Sequence, residues 1–167
     1  MSILEEPLGG FRFLIVLDPA VAYLPPAQAE QVPAIAAGAF QECRGLSGDL
    51  EVMPYAEGGR NDFVHQLPVR HTWGRISLRR GLVRDQALWA WYRAGLTGSL
   101  GARRDGCVMA LNEMGVPAMA WPFRGGLAAK WTGPEFSALT SAIALEGLEI
   151  AHHGVDQVVL QPAAGGG

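Results

Sequence analysis

Charge, cysteine and long apolar runs are all scarce in this sequence. Charged residues make up 17% of its 167 positions, against about 25% in an average soluble domain. The net charge of −3 argues against general nucleic-acid binding, which usually requires a basic face. No run reaches the roughly 18 apolar residues of a transmembrane helix. We therefore expect neither a membrane nor a sequence-specific nucleic acid as a partner.

The two cysteines and the N-terminal residues indicate the cellular compartment in which the chain is made. Cys43 and Cys107 lie far apart and form no C-x-x-C pattern, which argues against a zinc site or a disulfide framework. Both lie in apolar stretches, so we expect buried free thiols. The N-terminal stretch "MSILEEPLGG" has acidic residues where a signal peptide carries basic ones. Synthesis in the cytoplasm without a cleaved export signal is therefore expected.

Apolar residues, by contrast, make up 49% of the chain, which suits one domain with its own core. We place this domain at residues 1–160, with a proline-rich loop insert at 18–39, and a flexible C-terminal tail at 161–167. Nine arginines and two acids fall within 58–104, whereas acids dominate the residues on either side. A basic middle can pair with acidic ends within the fold or across a head-to-tail interface.

Alternation of apolar and polar residues predicts strands along most of the chain. The predicted strands are 11–17, two pieces of 40–55 around a turn at 45–48, 71–81, and a hairpin over 106–123 that turns at 112–115. Residues 125–139 are predicted to be irregular. The parity of apolar residues changes within 143–153, which predicts a strand with a β-bulge at Gly147, a helix being the competing interpretation.

The stretch "DQALWAWYRAG" (85–95) predicts the clearest helix. Asp85 is its expected N-cap and Gly95 its expected end. Its apolar stripe, which should face the core, is Leu88, Trp89, Trp91 and Tyr92. Many short strands with one helix predict a mostly-β barrel or sandwich.

The stretch "YAEGGRNDFVHQLP" (55–68) has the composition of an active-site loop. Its glycines, however, are not followed by the Lys-Ser/Thr pair and helix of a phosphate-binding loop. Adjacent His152 and His153 point to opposite faces of a strand and cannot readily bind one ion together. Glu146 and Glu149 face apart on a regular strand, and no serine has a G-x-S-x-G setting. We predict no enzyme activity, no cofactor and no metal site.

Four stretches, taken together and in order, carry a family resemblance. They are "YAEGGRNDFVHQLP" (55–68), "ISLRRGLVRDQALWAWY" (76–92), "WPFRGGLAAKWTGP" (121–134) and "IALEGLEIAHHGV" (143–155). The series resembles the tail tube proteins of contractile phages of the T-even type. It is most similar to the tube subunits of extracellular contractile injection systems, such as antifeeding prophages and Photorhabdus virulence cassettes.

The family pattern covers roughly residues 40–155. Its positions here are Tyr55, Glu57, Gly58, Gly59, Asn61, Leu67, Pro68, Leu78 to Gly81, Trp89, Trp91, Lys130, Trp131, Glu146, Leu148, Glu149, Ile150, His152 and Gly154. The sequence departs from the pattern at "FRGGLAAKW" (123–131) and in the longer insert at 18–39. These departures leave open a specialised position, such as a first ring on the baseplate.

The resemblance implies two packed antiparallel sheets that form a small barrel with one flanking helix, as in the Hcp rings of type VI secretion. It implies hexameric rings that stack into a tube with a central channel for effectors or DNA. The implied partners are copies of the chain itself, a contractile sheath, baseplate and spike proteins, and effector cargo in the lumen. The particle would be phage-tail-like, built in a bacterial cytoplasm. A baseplate-proximal tube initiator and, outside this family, a monomeric β-barrel binding module are the alternatives.

Two sets of residues are candidates for contacts in such an assembly. The expected inter-subunit interface is Glu57, Gly58, Gly59, Arg60, Asn61 and Asp62, with ion pairs from Arg60 or Asp62 at the tip of a projecting loop. The polar faces of strands should line either the lumen or the outer wall. Candidates for that role are Asp49, Glu51, Arg75, Ser77 and Arg79.

Overall fold

Ten strands and one helix make up the regular structure of the part that this computed structural model describes, residues 10, 13–17, 40–59, 61–84, 86–98 and 102–160. The strands are β1 (Phe13–Leu17), β2 (Phe40–Arg44), β3 (Gly48–Tyr55), β4 (His65–Trp73), β5 (Ile76–Gly81), β6 (Arg104–Leu111), β7 (Pro117–Thr132), β8 (Leu145–Ala151), β9 (Gly154–Val155) and β10 (Val158–Val159). The helix is α1 (Ala87–Leu96).

Eight strands form one antiparallel network, and β3 and β4 form a separate two-stranded sheet. The network has the order β1-β6-β7-β8-β5-β2, and β9 and β10 also pair with β7. The predicted fold class, mostly β with antiparallel sheets and one flanking helix, is confirmed for the described residues.

Strand β7 connects the two halves of the network. Its first half pairs with β6, and its residues from Leu127 onward pair with β8. Gly125 lies between the halves with φ +60°, and a Cβ at Gly126 would press on Phe123 and on the backbone of Arg104. The strand can therefore turn from one sheet to the next only because glycine stands there.

One apolar cluster joins the two halves. Alternate residues of β1, β5 and β8 face inward, as the period-two pattern predicts. The fully buried members include Ile15, Leu17, Ile76, Leu78, Phe123, Leu148 and Ile150.

Helix α1 packs on β7 and closes over this core. Leu88 and Trp91 are each 1% exposed, and the Trp91 indole donates to the Ala102 carbonyl at 2.6 Å. Trp89, expected in the core, is instead 36% exposed and packs edge-on against Trp131. The predicted end at Gly95 is wrong by one residue, since the helix ends at Leu96. Gly98, which has φ +67°, follows the C-cap and terminates the helix.

Three strand predictions are wrong. The predicted strand 71–81 is interrupted at 74–75, where β4 ends and β5 enters the other sheet. Residues 125–132 belong to β7, and only 133–144 are irregular. Gly147 carries no bulge, because β8 pairs with β5 in unbroken register from Leu145 to Ile150. The irregularity lies opposite, in β7 between Ala128 and Lys130. The parity change arises because the inward position before Leu148 is held by a charged residue, Glu146, which is 5% exposed. The alternative helix for 143–153 is also wrong.

Other predictions fall outside the described residues. These concern the insert 18–39, the tail 161–167, the cap at Asp85 and the charge at Arg60. No helix among the described residues is long and apolar enough to cross a membrane.

Candidate assembly surfaces

The β3–β4 hairpin is the most exposed element of the described chain. The two strands pair from Gly48 opposite Trp73 to Tyr55 opposite His65, and the topology gives them no other partner strand. Apart from His65, every residue of both strands is exposed. Its large exposed apolar side chains are Leu50, Val52, Met53, Tyr55, Leu67, Val69 and Trp73. An isolated two-stranded ribbon is marginal in water, and exposed apolar surface of this kind marks a contact site.

The predicted interface residues lie together at the tip of this hairpin. Gly58 and Gly59 form the turn, and Gly59 has φ +91° in open space. Asn61 and Asp62 follow it and are exposed. The stretch that looked like an active-site loop is therefore the end of a hairpin, whose second strand begins at His65.

The tip is held together by side chains around His65. The Glu57 carboxylate and the His65 Nε2 are 3.1 Å apart, and the Phe63 ring packs edge-on against the imidazole at 4.9 Å between centroids. Tyr55 lies on another side at 6.5 Å. Glu57 thus contacts another residue of the tip, whereas Asn61 and Asp62 are exposed polar residues beside the turn.

At the base of the hairpin, the short connections 45–47 and 74–75 approach each other closely, and we call this place the crossing. The Gly74 N–H donates to the Ser47 carbonyl at 2.8 Å. Gly45 has φ +88°, and a Cβ there would overlap the carbonyl of Arg75. His152, after the end of β8, has its Nε2 2.8 Å from the Gly74 carbonyl oxygen. The crossing marks the place where the chain leaves the body and enters the hairpin.

A charged wall covers the outer face of β2, β5, β8 and the end of β7. Its ion pairs are Arg79–Glu42 at 3.9 Å, Arg75–Glu149 at 3.4 Å, Lys130–Glu149 at 3.7 Å and Arg44–Glu42. Ser77 lies between them, opposite Glu149. Arginines of the basic middle therefore pair with acids from both other parts of the chain within the fold.

The structure separates the residues that were predicted to line a wall. Arg75, Ser77 and Arg79 lie on the charged wall, whereas Asp49 and Glu51 lie on β3 of the hairpin. Glu51 is 4.0 Å from Arg70 across the hairpin, and both side chains are more than half exposed. Such exposed pairs contribute little to stability.

A groove of about 860 Å³ runs beside the charged wall. Its other side is the irregular segment 133–144, in which Phe136, Leu139 and Ile143 are 79%, 96% and 74% exposed. Sequence reasoning missed this surface, although three large apolar residues in a segment without regular structure were its signal.

Beneath the wall lies an ion pair that sequence reasoning also missed. Arg80 and Glu146 face each other across β5 and β8, with Nε donating to Oε1 at 2.6 Å, and are 1% and 5% exposed. The Trp131 indole donates to the other oxygen of Glu146 at 3.4 Å. These residues come from three separate stretches of the family pattern, which the fold of this chain brings together in one buried network.

The structure gives no support for chemistry at the histidines or cysteines. The described residues contain no group of three or more His, Cys, Asp or Glu side chains that could hold a metal ion. His152 contacts Gly74 while His153 contacts Arg103, so the adjacent histidines serve different neighbours. Burial raises the pKa of the Cys43 thiol to about 11 and also raises that of Cys107, which keeps both thiols protonated and unreactive.

Several solved structures have a similar fold, among them a chain of a baseplate and a chain of a sheath–tube complex. A chain of the anti-feeding prophage baseplate has a TM-score of 0.74 at 24% identity, covering 93% of this chain and 98% of its own. A chain of the extended PVC sheath–tube complex, an extracellular contractile injection system, has a TM-score of 0.74 at 19% identity, covering 94% and 95%. A type six secretion system protein has a TM-score of 0.56 at 10% identity, covering 88% and 82%.

No curated protein sequence matches the chain. A family model does: that of the T4-like virus tail tube protein gp19 matches residues 10–156. This range includes the hairpin, the charged wall and the buried ion pair. It covers most of the sequence, so the chain belongs to the T4-like virus tail tube protein family, a family of structural subunits rather than enzymes.

Proposed function

We propose that this chain is the repeating inner tube subunit of a phage-tail-like contractile injection system. In this proposal six copies close into a ring, and rings stack into a tube around a central channel. The observation that carries it is the β3–β4 hairpin, which exposes an apolar surface and pairs with no other strand of the described residues. A second copy is the partner that would cover it.

Ring closure is supported by the ends of the strand order. Among the strands of the described residues, β1 and β2 lie at the two edges of the network, and each pairs with one neighbour. Unpaired strand edges invite pairing with another chain. Two different edges that meet between neighbours make a heterologous contact, which closes into a ring when the rotation is right.

Stacking needs a second contact that points along the tube axis. The hairpin tip, with Glu57, Gly58, Gly59, Asn61 and Asp62, supplies a projecting surface of the required kind. We assign these residues, together with Arg60, to the interface with a neighbouring subunit or ring. Arg60 and Asp62 would then form ion pairs there, so the substitution R60E should impair assembly at physiological salt.

The charged wall is assigned to either the lumen or the outer surface of the tube. Arg75, Ser77 and Arg79 lie on the polar face of a sheet whose other face is the core. In a ring such a face meets the channel or the surroundings. The substitution S77C distinguishes the two in assembled tubes, because a bulky thiol reagent reaches the outer surface rapidly and the lumen slowly.

Partners follow from the assemblies that contain the similar chains. Those assemblies include a baseplate and a sheath–tube complex. We infer a contractile sheath around the tube, baseplate and spike proteins at one end, and effector cargo in the channel. Synthesis would take place in the bacterial cytoplasm before assembly of the particle.

A baseplate-proximal ring is the second candidate. It is supported by the similarity to a chain of the anti-feeding prophage baseplate and by the long proline-rich segment 18–39. A repeating subunit forms long tubes alone, whereas an initiator stops after one or a few rings. Electron microscopy of the purified protein separates these two roles.

Shortening the hairpin tests the stacking role. Because Gly48 lies opposite Trp73, residues 49–72 can be replaced by Asn-Gly, a two-residue turn that suits a hairpin. The expected product keeps the circular dichroism and thermal unfolding of the body and forms rings but no tubes. Tubes of normal length from this variant would contradict the proposed stacking contact.

A further inference from the structure

We propose that His152 is a positioning residue that fixes the angle at which the hairpin leaves the body. The inference rests on the proposed function, because the hairpin angle matters only if the hairpin contacts another ring. It concerns the base of the hairpin, which the tip residues do not touch. His152 belongs to neither strand of the hairpin and follows the end of β8.

The direction of the hairpin is decided at its base. Along its length it has no partner strand. It is attached through the connections at 45–47 and 74–75, which are held by two backbone hydrogen bonds, Gly74 N–H to Ser47 O and Ser47 N–H to Gly45 O, each at 2.8 Å. The first of these bonds joins the two connections to each other, and the second closes the turn within 45–47. Neither bond joins the connections to the sheet. Leu46 packs against the core from the first connection, so a contact between the second connection and the body is also needed to set the angle.

His152 supplies that contact. Its Nε2 lies 2.8 Å from the Gly74 carbonyl oxygen, and its Nδ1 is buried with no hydrogen-bond partner among the described residues. A carbonyl only accepts, so Nε2 carries the proton and donates it, and Nδ1 is the bare nitrogen. The tautomer follows from the one bond that the ring makes.

Two aromatic rings hold the imidazole in place. Trp73, the last residue of β4, has its centroid 6.1 Å from that of His152, and Phe123 of the core lies 6.1 Å away. His71 stacks on Trp73 at 4.3 Å. His152 therefore connects a fully buried residue, Phe123, with the last residue of the hairpin, Trp73.

The length of the hairpin makes this contact matter. Its eight paired residues per strand extend about 26 Å at about 3.3 Å per residue, so a rotation of about 10° at the base moves the tip by about 5 Å. A displacement of that size separates hydrogen-bonded or packed groups. The body is not affected in the same way, because its core lies among Ile76, Leu148 and Ile150.

The test compares three variants in the full chain. H152F keeps a ring between the two aromatic neighbours but removes the donor. H152Q places an amide N–H near the position of Nε2 and restores the donor. H153F changes the adjacent histidine, which contacts Arg103 rather than Gly74, and serves as the matched control. Sedimentation gives the concentration at which half the protein is in tubes, and thermal unfolding reports on the body.

We expect H152F to raise this concentration about tenfold or more, because each subunit loses one hydrogen bond that positions its hairpin for the contact. H152Q should recover most of the loss, H153F should resemble the unchanged protein, and the unfolding midpoints of all three should agree within a few degrees. Normal assembly of H152F would overturn the proposal, as would equal defects in H152F and H152Q. If the protein with the shortened hairpin also forms tubes, the proposed stacking function is contradicted as well. If the shortened protein forms no tubes but H152F assembles normally, only the role of His152 is contradicted.

Discussion

Two stretches of chain, 40–55 and 65–81, contribute strands to both the body and the hairpin, but these two regions are stabilised in opposite ways. Strands β2 and β3 follow each other with a three-residue break, and β4 and β5 with a two-residue break. On one side of the break β5 lies between β2 and β8, with Ile76 and Leu78 fully buried. On the other side β3 and β4 expose nearly every side chain. The body has its own buried core, whereas we propose that another copy covers the hairpin.

The largest predicted effect breaks the buried ion pair of the body. Replacing Arg80 alone, as in R80M, leaves Glu146 charged and buried, and should cost about 3–5 kcal/mol of unfolding free energy. The double variant R80M/E146L removes both charges and should recover most of that loss. Urea unfolding of the two proteins measures the difference. If the double variant is as unstable as the single one, the loss of stability does not come from leaving Glu146 without its partner charge, and this explanation is contradicted.

The next largest effect concerns the junction between the two regions. In G45A the new Cβ overlaps the carbonyl of Arg75, and φ is +88°, so we expect a loss of about 1–3 kcal/mol. The matched control is G59A at the tip, where φ is +91° but nothing lies within 4 Å. It should cost less, about 1 kcal/mol, from the backbone alone. Thermal unfolding ranks the two variants, and equal losses would contradict the tight crossing at the base.

A smaller effect on stability is expected on the hairpin surface. V69S changes a side chain that is 56% exposed, and should alter the unfolding free energy by less than about 0.5 kcal/mol. It should nevertheless reduce tube formation, because Val69 belongs to the surface that we assign to the neighbouring copy. Sedimentation at several protein concentrations measures this reduction. A stability loss as large as that of a core variant would place Val69 inside the fold.

The smallest effect on the fold is expected from thiol chemistry. With its pKa raised from 9.0 to about 11, Cys43 at pH 8 should react about 100-fold more slowly with iodoacetamide than an ordinary thiol, since the thiolate is the nucleophile. A cysteine on the hairpin, as in T72C, should react at the ordinary rate. The folded state favours the neutral thiol of Cys43. The contribution of this thiol to the free energy of unfolding is therefore complete below pH 9 and is lost as pH rises toward 11.

How far the sequence predicts this structure differs between the two regions. Period-two alternation predicts β1, β5 and the β6–β7 hairpin, because one face of each of these strands is buried. The same rule missed most of β4, "HQLPVRHTW", which has a proline within it. Because both faces of β4 are exposed, its fold does not require an alternating pattern, although its partner β3 has one. The tip residues were identified through the family resemblance, and the structure shows why they lie together.

Two further features could not be predicted from the pattern, for physical reasons. The inward position of Glu146 breaks the parity rule, because a charge is buried only when a partner such as Arg80 meets it from a distant strand. The role of His152 depends on the carbonyl of Gly74, a backbone group that carries no sequence signal. Both features depend on contacts between residues far apart in the sequence. Such contacts leave no local periodic pattern from which they could be predicted.

The most direct test of the account is a cryo-electron microscopy map of the protein assembled without other components. The account predicts stacked hexameric rings in which residues 48–73 of each subunit lie against the adjacent ring, with the apolar side chains of β3 and β4 covered by that contact. A monomer at high concentration, or a tube whose hairpins fold back on their own subunits, would contradict it.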